Sequence, residues 1–584
     1  MCFKVSKQAT THLPLTMNSP KIKATYGSVD LGDKSAGELI EITPASRHSF
    51  SWLEIQSSNP LEHANFLYNE DLKPVGSDKR VWRWYNYVCF WVSDALNVNA
   101  WQIAGSGIAL GLTWWQAWLS VWVGYTFASC FVVIVSRPGT YYHISFPVVV
   151  RSSFGVVGSV WPVLNRVLMA MVWFSCQTWI LGQAVQLMTR SLLGNEIASF
   201  IPQWLGSLLG DEQCISHFEY ICYFGAWIMM LPFLWVSPSS IRHLFTIKTI
   251  VVPIAGIAFV AWAVYLAMNV PHQPLQTIAH PITESIDSRN SSQLWKFVAA
   301  CMTAVANFAA LIVSSPDFSR FADSTTASTY SQLITIPCAF STTAIIGIII
   351  SSCAGRIYGE VYWSPLDVLD RLLEANTHKA RIGVFLIASA FGLASIGTNV
   401  CANSLSAGTD LTALMPRFIN IRRGGYICAV VAFFLRPWNL FASSNKFTAY
   451  LGSYSTFLSC VAGIMVSDYY IVRRGHIQLT QLYSAKKYSP YMFGELGVNW
   501  RAYAAYVVGV LPNLAGFLHI FGRPVGDISE LVYRFNYFGG FFTSIAAYAL
   551  LCYVSPVEAA PTLGWHEKYQ YVDDFDSEML DERL

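Results

Sequence analysis

Apolar residues occur in long runs along most of this chain, separated by short polar connections. A helix needs about 20 apolar residues to cross the hydrocarbon core of a bilayer. The ninth run is the weakest, because Arg436 and Pro437 end it early. The pattern predicts an all-α polytopic membrane protein with about 12 transmembrane helices. The predicted helices begin near Tyr87, Trp114, Val157, Phe218, Ile247, Leu294, Leu333, Ile382, Tyr426, Phe447, Ala502 and Phe535.

The two ends of the chain differ in composition from the middle. Residues 1–69 contain Lys, Ser, Thr and Pro and no apolar core long enough for a cleaved signal peptide. Residues 70–555 hold the apolar runs and form the predicted transmembrane transporter domain. Residues 556–584 form an acidic tail that is too polar for lipid. We expect both tails to be cytosolic, solvated and disordered.

Composition agrees with residence in lipid. The 584 residues are 54% hydrophobic and 12% charged, with a mean hydropathy of +0.40. The net charge of +2 is too small to indicate a nucleic-acid partner. The 13 cysteines are scattered singly, without a CxxC motif or a Cys/His cluster of zinc spacing. We therefore predict no metal site and no cofactor.

Positive charges predict the orientation. Lysine and arginine are enriched in the cytosolic loops of membrane proteins. With both termini in the cytosol, an even number of spans places most of the basic loops on the cytosolic side, although Arg289, Lys379 and Arg381 fall outside. The basic residues assigned to cytosolic loops are Arg137, Arg151, Arg242, Lys248, Arg417, Arg422, Arg423, Arg473, Arg474, Lys486 and Lys487.

Polar side chains inside the predicted spans are the candidates for chemistry, because such groups need a partner or a wet cavity. In the first span, Asp94, Asn97 and Trp101 lie on one helical face at i, i+3 and i+7. In the third span, Trp173 and Gln177 are four residues apart, so an indole face and an amide point into the same space. This pair suits a planar ring with a polar edge.

Two further spans carry amides. In the sixth span, Asn307 shares a face with Thr303 and is followed by Phe308, a second ring that could close a sandwich. In the eighth span, Asn399 and Asn403 lie at i and i+4. Each amide could instead join helices to each other, and Asp94 could be a structural hydrogen-bond partner. The convergence of four groups favours a binding site.

Several motifs around these residues resemble those of the nucleobase-cation symporter family, in particular its fungal uracil, allantoin and uridine permease branch. The resemblance runs from about Asn69 to Val554. It includes NEDLKPV before the first span, FWVSDALNVNAW in it, GLTWWQAWLSVWVGY after it, YYHISFPVVVRSSFGVVGS before the third and LMPRFINIRRG after the eighth.

The resemblance implies a five-plus-five inverted-repeat bundle with two extra helices, whose first and sixth spans are unwound at mid-membrane. In similar proteins an aromatic ring of the third span stacks on the solute, an amide four residues later bonds its edge, and an aromatic ring of the sixth span closes the sandwich. The substrate-binding residues implied here are Trp173, Gln177, Asn307, Phe308, Asn403 and Asn97.

One position departs from the sodium-coupled members of that family. They carry two adjacent hydroxyls in the eighth span, whereas this chain has Gly397 followed by Thr398. A site without one hard oxygen ligand is expected to hold sodium poorly. Proton coupling is the alternative, and Asp94 is the candidate carrier because a desolvated carboxyl binds protons more readily.

These observations predict a plasma-membrane solute:proton symporter rather than an enzyme, with uracil as the first candidate solute. Allantoin, uridine, thiamine and nicotinamide riboside are alternatives within the branch. A sensor or receptor with a transporter fold is the alternative from a different class. A membrane-embedded enzyme would need a nucleophile-base pair or a metal cluster at depth, which the spans do not offer.

Overall fold

A computed structural model of the chain describes residues 54–55, 67–196, 216–235, 238–269, 292–520, 522–523, 526–558, 560, 564–565, 567, 575 and 579. Within those ranges the chain is helical and has no strand beyond one isolated bridge, between Trp82 and Ala322. Most of residues 1–69 and residues 270–291, between the fifth and sixth predicted spans, lie outside the described residues. The all-α architecture predicted from the apolar runs is confirmed.

We number the helices along the chain. The first ten are α1 Trp84–Ala95, α2 Val98–Ala109, α3 Trp114–Tyr142, α4 Phe146–Phe154, α5 Val160–Leu193, α6 His217–Trp235, α7 Pro238–Asn269, α8 Gln293–Asn307, α9 Ala309–Val313 and α10 Ser315–Ser319. The remainder are α11 Thr325–Tyr358, α12 Pro365–Glu374, α13 His378–Thr398, α14 Leu405–Leu414, α15 Ile421–Phe433, α16 Trp438–Phe441, α17 Ser444–Val466, α18 Trp500–Ile520, α19 Asp527–Tyr533 and α20 Asn536–Val554.

Nine helical segments among the described residues are long and apolar enough to cross a membrane. Two of them run on through π-helical turns, α13 into Asn399–Ser404 and α17 into Ser467–Val472. The other three predicted spans coincide with interrupted or short helices. The first is divided into α1 and α2, the sixth into α8, α9 and α10, and the ninth is α15, with 13 residues. The count of twelve spans therefore stays a prediction.

The interruption of the sixth predicted span leaves backbone groups without helical partners, and neighbouring helices satisfy them. The main-chain carbonyl of Ala306 accepts a hydrogen bond of 2.7 Å from the Tyr454 hydroxyl of α17. In lipid an unpaired backbone carbonyl costs several kcal/mol, so a broken helix is tolerated only with such partners. The hydrogen bond from Tyr454 therefore stabilises the break at Phe308.

Small residues let the broken helices approach α3. A methyl group at Gly124 would stand 2.6 Å from the Cβ of Ala304 on α8, and one at Gly139 would stand 2.6 Å from the Cα of Pro316 on α10. Both distances are too short for real side chains, so glycine is required where these helices cross. The α3 helix also packs along α11, while α17, α18 and α20 pack against one another.

Three basic residues that the charge pattern assigned to cytosolic loops are buried inside the protein. Lys248 is 1% exposed, because α7 begins ten residues earlier, at Pro238, and includes it. Arg151 lies on α4 and donates to the carbonyls of Leu67 and Leu482. Arg473 pairs with Asp468 at 3.0 Å. Lys248 and Arg151 therefore lie on helices and not in loops, and all three charges are held by internal partners instead of by water.

Part of the acidic tail contacts the helical bundle, although we expected it to be solvated. The Glu567 carboxylate accepts hydrogen bonds from Arg137 at 2.9 and 2.7 Å and from the Tyr469 hydroxyl at 2.6 Å. Trp565 stacks on Tyr470, with ring centroids 5.6 Å apart. Burial raises the pKa of the Glu567 carboxyl, but Arg137 and Tyr469 outweigh that effect and hold the pKa below its ordinary value. The tail sequence therefore includes specific contact residues.

Candidate functional site

A cavity lies between the broken helices and the helices α5, α11 and α13. The cavity brings together most of the residues singled out from the sequence, including the proton-coupling candidate. Those that line it are Asp94, Asn97, Trp173, Gln177, Asn307 and Asn403, whereas Phe308 does not.

The break between α1 and α2 is held by Asn97. Its carbonyl oxygen caps α2 by accepting from the main-chain N–H of Ala100 at 2.8 Å, and its amide nitrogen donates to the main-chain carbonyl of Asp94. Both polar atoms of Asn97 are thus engaged within the chain. Asn97 lines the cavity mainly as the residue that shapes the break, and the Asp94 carboxyl reaches the cavity one turn before it.

One face of α5 supplies an aromatic ring and an amide. The Trp173 ring makes edge contacts with three aromatic rings of α17. These are the rings of Phe447, Tyr450 and Tyr454, at centroid distances of 6.4–6.5 Å. The carbonyl oxygen of Gln177 is buried and has no hydrogen-bond partner among the described residues. The pair therefore places a fixed indole at the cavity beside a glutamine whose buried carbonyl oxygen is unpartnered among the described residues.

The aromatic residue that lines the other part of the cavity is Phe340 of α11. Phe308 is fully buried behind it, with its ring stacked on Trp91 at 5.5 Å and meeting the Phe340 ring edge-on at 4.9 Å. Consecutive helical residues point about 100° apart. Asn307 faces the cavity, and its neighbour Phe308 consequently faces the core.

The π-helical turn after α13 aligns two amides. Asn403 donates its amide N–H to the Asn399 carbonyl oxygen at 2.9 Å. Asn399 is completely buried and donates in turn to the main-chain carbonyl of Phe174 on α5 at 3.0 Å. Asn399 thus joins helices, and Asn403 lines the cavity. π-Helical turns are frequent at functional sites because they redirect side chains.

A buried ammonium group occupies the space beside Gly397. Lys248 of α7 donates a hydrogen bond of 2.7 Å to the Thr398 hydroxyl, and a methyl group at Gly397 would stand 3.1 Å from Lys248 Cδ. Lys248 also interacts electrostatically with Asp94. Gly397, which has no side-chain hydroxyl, therefore lies next to the ammonium group of Lys248.

An ion-pair cluster closes one end of the cavity. Arg166 of α5 contacts the Asp410 carboxylate through two hydrogen bonds of 2.5 and 2.6 Å, and it pairs with Asp317 of α10 at 2.7 Å. Arg166 is 2% exposed and Asp410 is fully buried. A bidentate arginine between two carboxylates joins α5, α10 and α14 at this end.

Sequence patterns did not assign Lys248, Arg166, Asp410 or Phe340 to the cavity region. A signal existed for the charged residues, because each lies within or at the edge of an apolar run. Arg166 is seven residues before Trp173 and shares its helical face. Phe340 carried no such signal, because one phenylalanine in an apolar span resembles any other.

Comparison with known proteins identifies the relatives of this chain. A model of the family described as permeases for cytosine/purines, uracil, thiamine and allantoin matches residues 74–540. The allantoin permease of Saccharomyces cerevisiae is 45% identical over 94% of this chain and 88% of that protein. The uracil permease of the same yeast is 45% identical over 88% of this chain and 82% of that protein. The uridine permease of the same yeast is 41% identical over 88% of this chain and 80% of that protein.

A solved structure shows the same fold. It is Mhp1, a nucleobase-cation-symport-1 family transporter in a closed conformation with bromovinylhydantoin bound. It matches 88% of this chain and 99% of its own chain, with a TM-score of 0.65 at 21% identity. The family model and the yeast relatives cover most of the transmembrane region, so the chain is a multi-pass membrane transporter and not an enzyme. It belongs to the family of permeases for cytosine/purines, uracil, thiamine and allantoin.

Proposed function

We propose that this protein is a proton-coupled symporter of the plasma membrane that takes up a nucleobase or a related small planar solute. Both termini lie in the cytosol in this proposal. The relatives named for uracil and for allantoin are equally similar to this chain, at 45% identity. Uracil is the first candidate and allantoin the second, ahead of uridine, thiamine and nicotinamide riboside.

The observation that carries the choice of solute is the meeting of Trp173, Gln177 and Asn403 in one cavity. An indole face stacks on any flat ring, while amides select a pattern of donors and acceptors along its edge. Phe340 offers a second aromatic surface, and Phe308 supports it from behind. The set suits a planar heterocycle with polar edges.

The coupling proposal rests on Lys248. Its ammonium group donates to Thr398, the hydroxyl that a sodium ion would need, and Gly397 supplies no second side-chain oxygen. A cation held by the protein at this point repels sodium and removes an oxygen ligand. Protonation of Asp94 would neutralise the negative charge near Lys248, so proton binding can change how the broken first span and α7 interact.

The experiment is uptake of labelled uracil and allantoin by cells that express the protein and lack their own carriers. Replacing sodium with choline should leave uptake unchanged, and collapsing the pH gradient with a protonophore should abolish accumulation. A strict sodium requirement would contradict proton coupling. Absence of saturable uptake of either solute or of the other candidates would contradict the transport proposal itself.

Trp173→Ala tests the stacking surface. It should weaken binding of every ring solute by about 1–3 kcal/mol, as base-aromatic stacking does elsewhere. Inhibition constants for a panel of rings measure the loss, with surface expression checked for each variant. Wild-type constants across the panel would place the stacking surface elsewhere.

A further inference from the structure

Asn99 of α2 lines the cavity, and its carbonyl oxygen is buried and has no hydrogen-bond partner among the described residues. The side chain is 5% exposed. A buried carbonyl without a partner costs free energy, so such a group calls for an explanation. Its position in the cavity suggests that the partner belongs to the transported solute.

A relay of hydrogen bonds engages the amide nitrogen of Asn99. Asn99 donates its N–H to the carbonyl oxygen of Asn307 at 2.9 Å, and Asn307 donates its own N–H to the hydroxyl of Tyr125 at 3.3 Å. With its nitrogen engaged in this way, Asn99 turns its oxygen away from Asn307. Asn307, which the sequence placed among the solute ligands, has both polar atoms engaged in the relay.

Gln177 of α5 presents a second carbonyl oxygen of the same kind. It is buried, lines the same cavity and is also without a partner in the described part of the chain. Two buried acceptors without partners in the described residues therefore belong to residues that line the cavity from different helices. Two acceptors are satisfied together by a ligand with two N–H donors.

We propose that Asn99 is a specificity-determining residue that accepts a hydrogen bond from a ring N–H of the solute, as a second acceptor beside Gln177. The inference rests on the proposed function and narrows its substrate class to cyclic ureides and imides with both ring nitrogens unsubstituted. Uracil and allantoin meet that requirement. Uridine carries a sugar on one ring nitrogen, and the rings of thiamine and nicotinamide riboside lack the N–H pair. Asn307 and Tyr125 are positioning residues in this scheme.

Competition of labelled solute uptake by N-methylated rings tests the proposal. The probes are uracil, 1-methyluracil and 3-methyluracil, or hydantoin and its two N-methyl derivatives if the wild type carries allantoin. The wild type should bind each methyl derivative about tenfold or more weakly than the parent, because a buried acceptor then stays unpaired. Asn99→Ala should lose the discrimination against one derivative and keep it against the other. Gln177→Ala should show the opposite pattern.

Asn513→Ala is the matched control. Asn513 is also a buried amide with an unpartnered carbonyl among the described residues, but it lies on α18 and does not line the cavity. This variant should keep the wild-type profile. Tyr125→Phe removes the acceptor at the end of the relay and should erode the same discrimination as Asn99→Ala, by a smaller factor. A purely structural role of Tyr125 would leave the ratio between derivatives unchanged.

Ligand-induced shifts in the melting temperature of purified protein give the same affinities when a variant is transport-inactive. If Asn99→Ala does not reach the surface, Asn99→Ser replaces it, since the shorter side chain cannot maintain the contact with Asn307. An unchanged profile in a transporting Asn99 variant would overturn this inference alone. The inference would also be wrong if the Asn99 variant instead lost its discrimination against solutes in which a ring carbonyl is replaced by a thiocarbonyl. Asn99 would then donate a hydrogen bond to a ring carbonyl of the solute. Absence of solute uptake by the wild type would overturn the proposed function as well.

Discussion

Asp94 is a carboxylic acid that faces the cavity and interacts electrostatically with the buried ammonium group of Lys248. We expect Asp94→Asn to abolish concentrative uptake, because the amide keeps the shape and hydrogen bonding of the carboxyl but cannot bind and release a proton. Accumulation ratios of labelled solute, normalised to surface expression, measure the effect. Normal accumulation by the variant would leave Asp94 with a structural role only.

Gly397 and Lys248 make a second residue-scale prediction. A side chain at position 397 meets Lys248 Cδ at 3.1 Å, so Gly397→Ser should lower the melting temperature and transport. Shortening the lysine makes room, so Lys248→Ala combined with Gly397→Ser should be less destabilised than the sum of the two single changes. Thermal unfolding of the wild type, the two single variants and the double variant measures this coupling as a double-mutant cycle.

Additive losses in that cycle would mean that the two positions do not share space. The double variant offers two adjacent hydroxyls, those of the new serine and Thr398, and no ammonium group beside them. We therefore expect sodium to raise its melting temperature, whereas potassium at equal concentration serves as the control. The wild type should respond to neither ion.

Residue identities and their spacing predicted much of the cavity. The i, i+4 pair Trp173 and Gln177 and the amide Asn403 all line it, because helical spacing alone places such residues on one face. Spacing could not show that the amides of Asn97 and Asn307 are used within the protein. Hydrogen-bond partners come from other helices or from the backbone, and a sequence pattern does not name them.

At the scale of helices, Arg166 connects α5 with α10 and α14 through the carboxylates of Asp317 and Asp410. Arg166→Met should cost about 3–5 kcal/mol, because it leaves the fully buried Asp410 without its counter-charge. Asp410→Asn should cost less, since Arg166 then keeps Asp317. Melting temperatures of the purified variants measure the order.

A control for this prediction lies on the same helix. Arg190 pairs with Asp370, whose side chain is 45% exposed, so Arg190→Met should cost only about 0–1 kcal/mol. A melting temperature of Arg166→Met equal to that of Arg190→Met would show that the buried cluster contributes no more than a surface pair. The order Arg166→Met, Asp410→Asn, Arg190→Met, from most to least destabilised, is the expected one.

The lengths of the apolar runs predicted the long helices, but they did not predict the breaks in the helices. Runs such as Trp114–Tyr142 and Thr325–Tyr358 exceed the span that a bilayer requires. The interruptions at Asn97 and Phe308 were expected from family resemblance alone. Tertiary partners such as Tyr454 stabilise the break at Phe308, and local sequence does not reveal them.

Across the whole molecule, the contact of Glu567 with Arg137 and Tyr469 ties the acidic tail to the ends of two helical segments. The sequence predicted the composition of this tail but not the contact, which depends on partners more than 90 residues away. We expect both tails to control turnover rather than solute binding, because their sequences lack the apolar surface needed to fold or to line a pathway. Removing residues before Glu62 should leave substrate affinity within twofold, roughly the spread expected for changes remote from a site.

Glu567→Gln should release this part of the tail and lower the melting temperature at neutral pH, with the solute KM unchanged. The folded-state pKa of Glu567 is below its ordinary value near 4.5, so its ion pair stabilises the protein above that pH and the stabilisation is lost as pH falls through the lower folded-state value. The difference between wild type and variant should therefore shrink in acid. Thermal unfolding between neutral pH and about pH 4 measures this difference.

Glu558→Gln is the matched control for Glu567→Gln, since the Glu558 side chain is exposed, and its melting temperature should match that of the wild type throughout. A difference in melting temperature that does not change with pH would show that the Glu567 side chain acts by packing and not by charge.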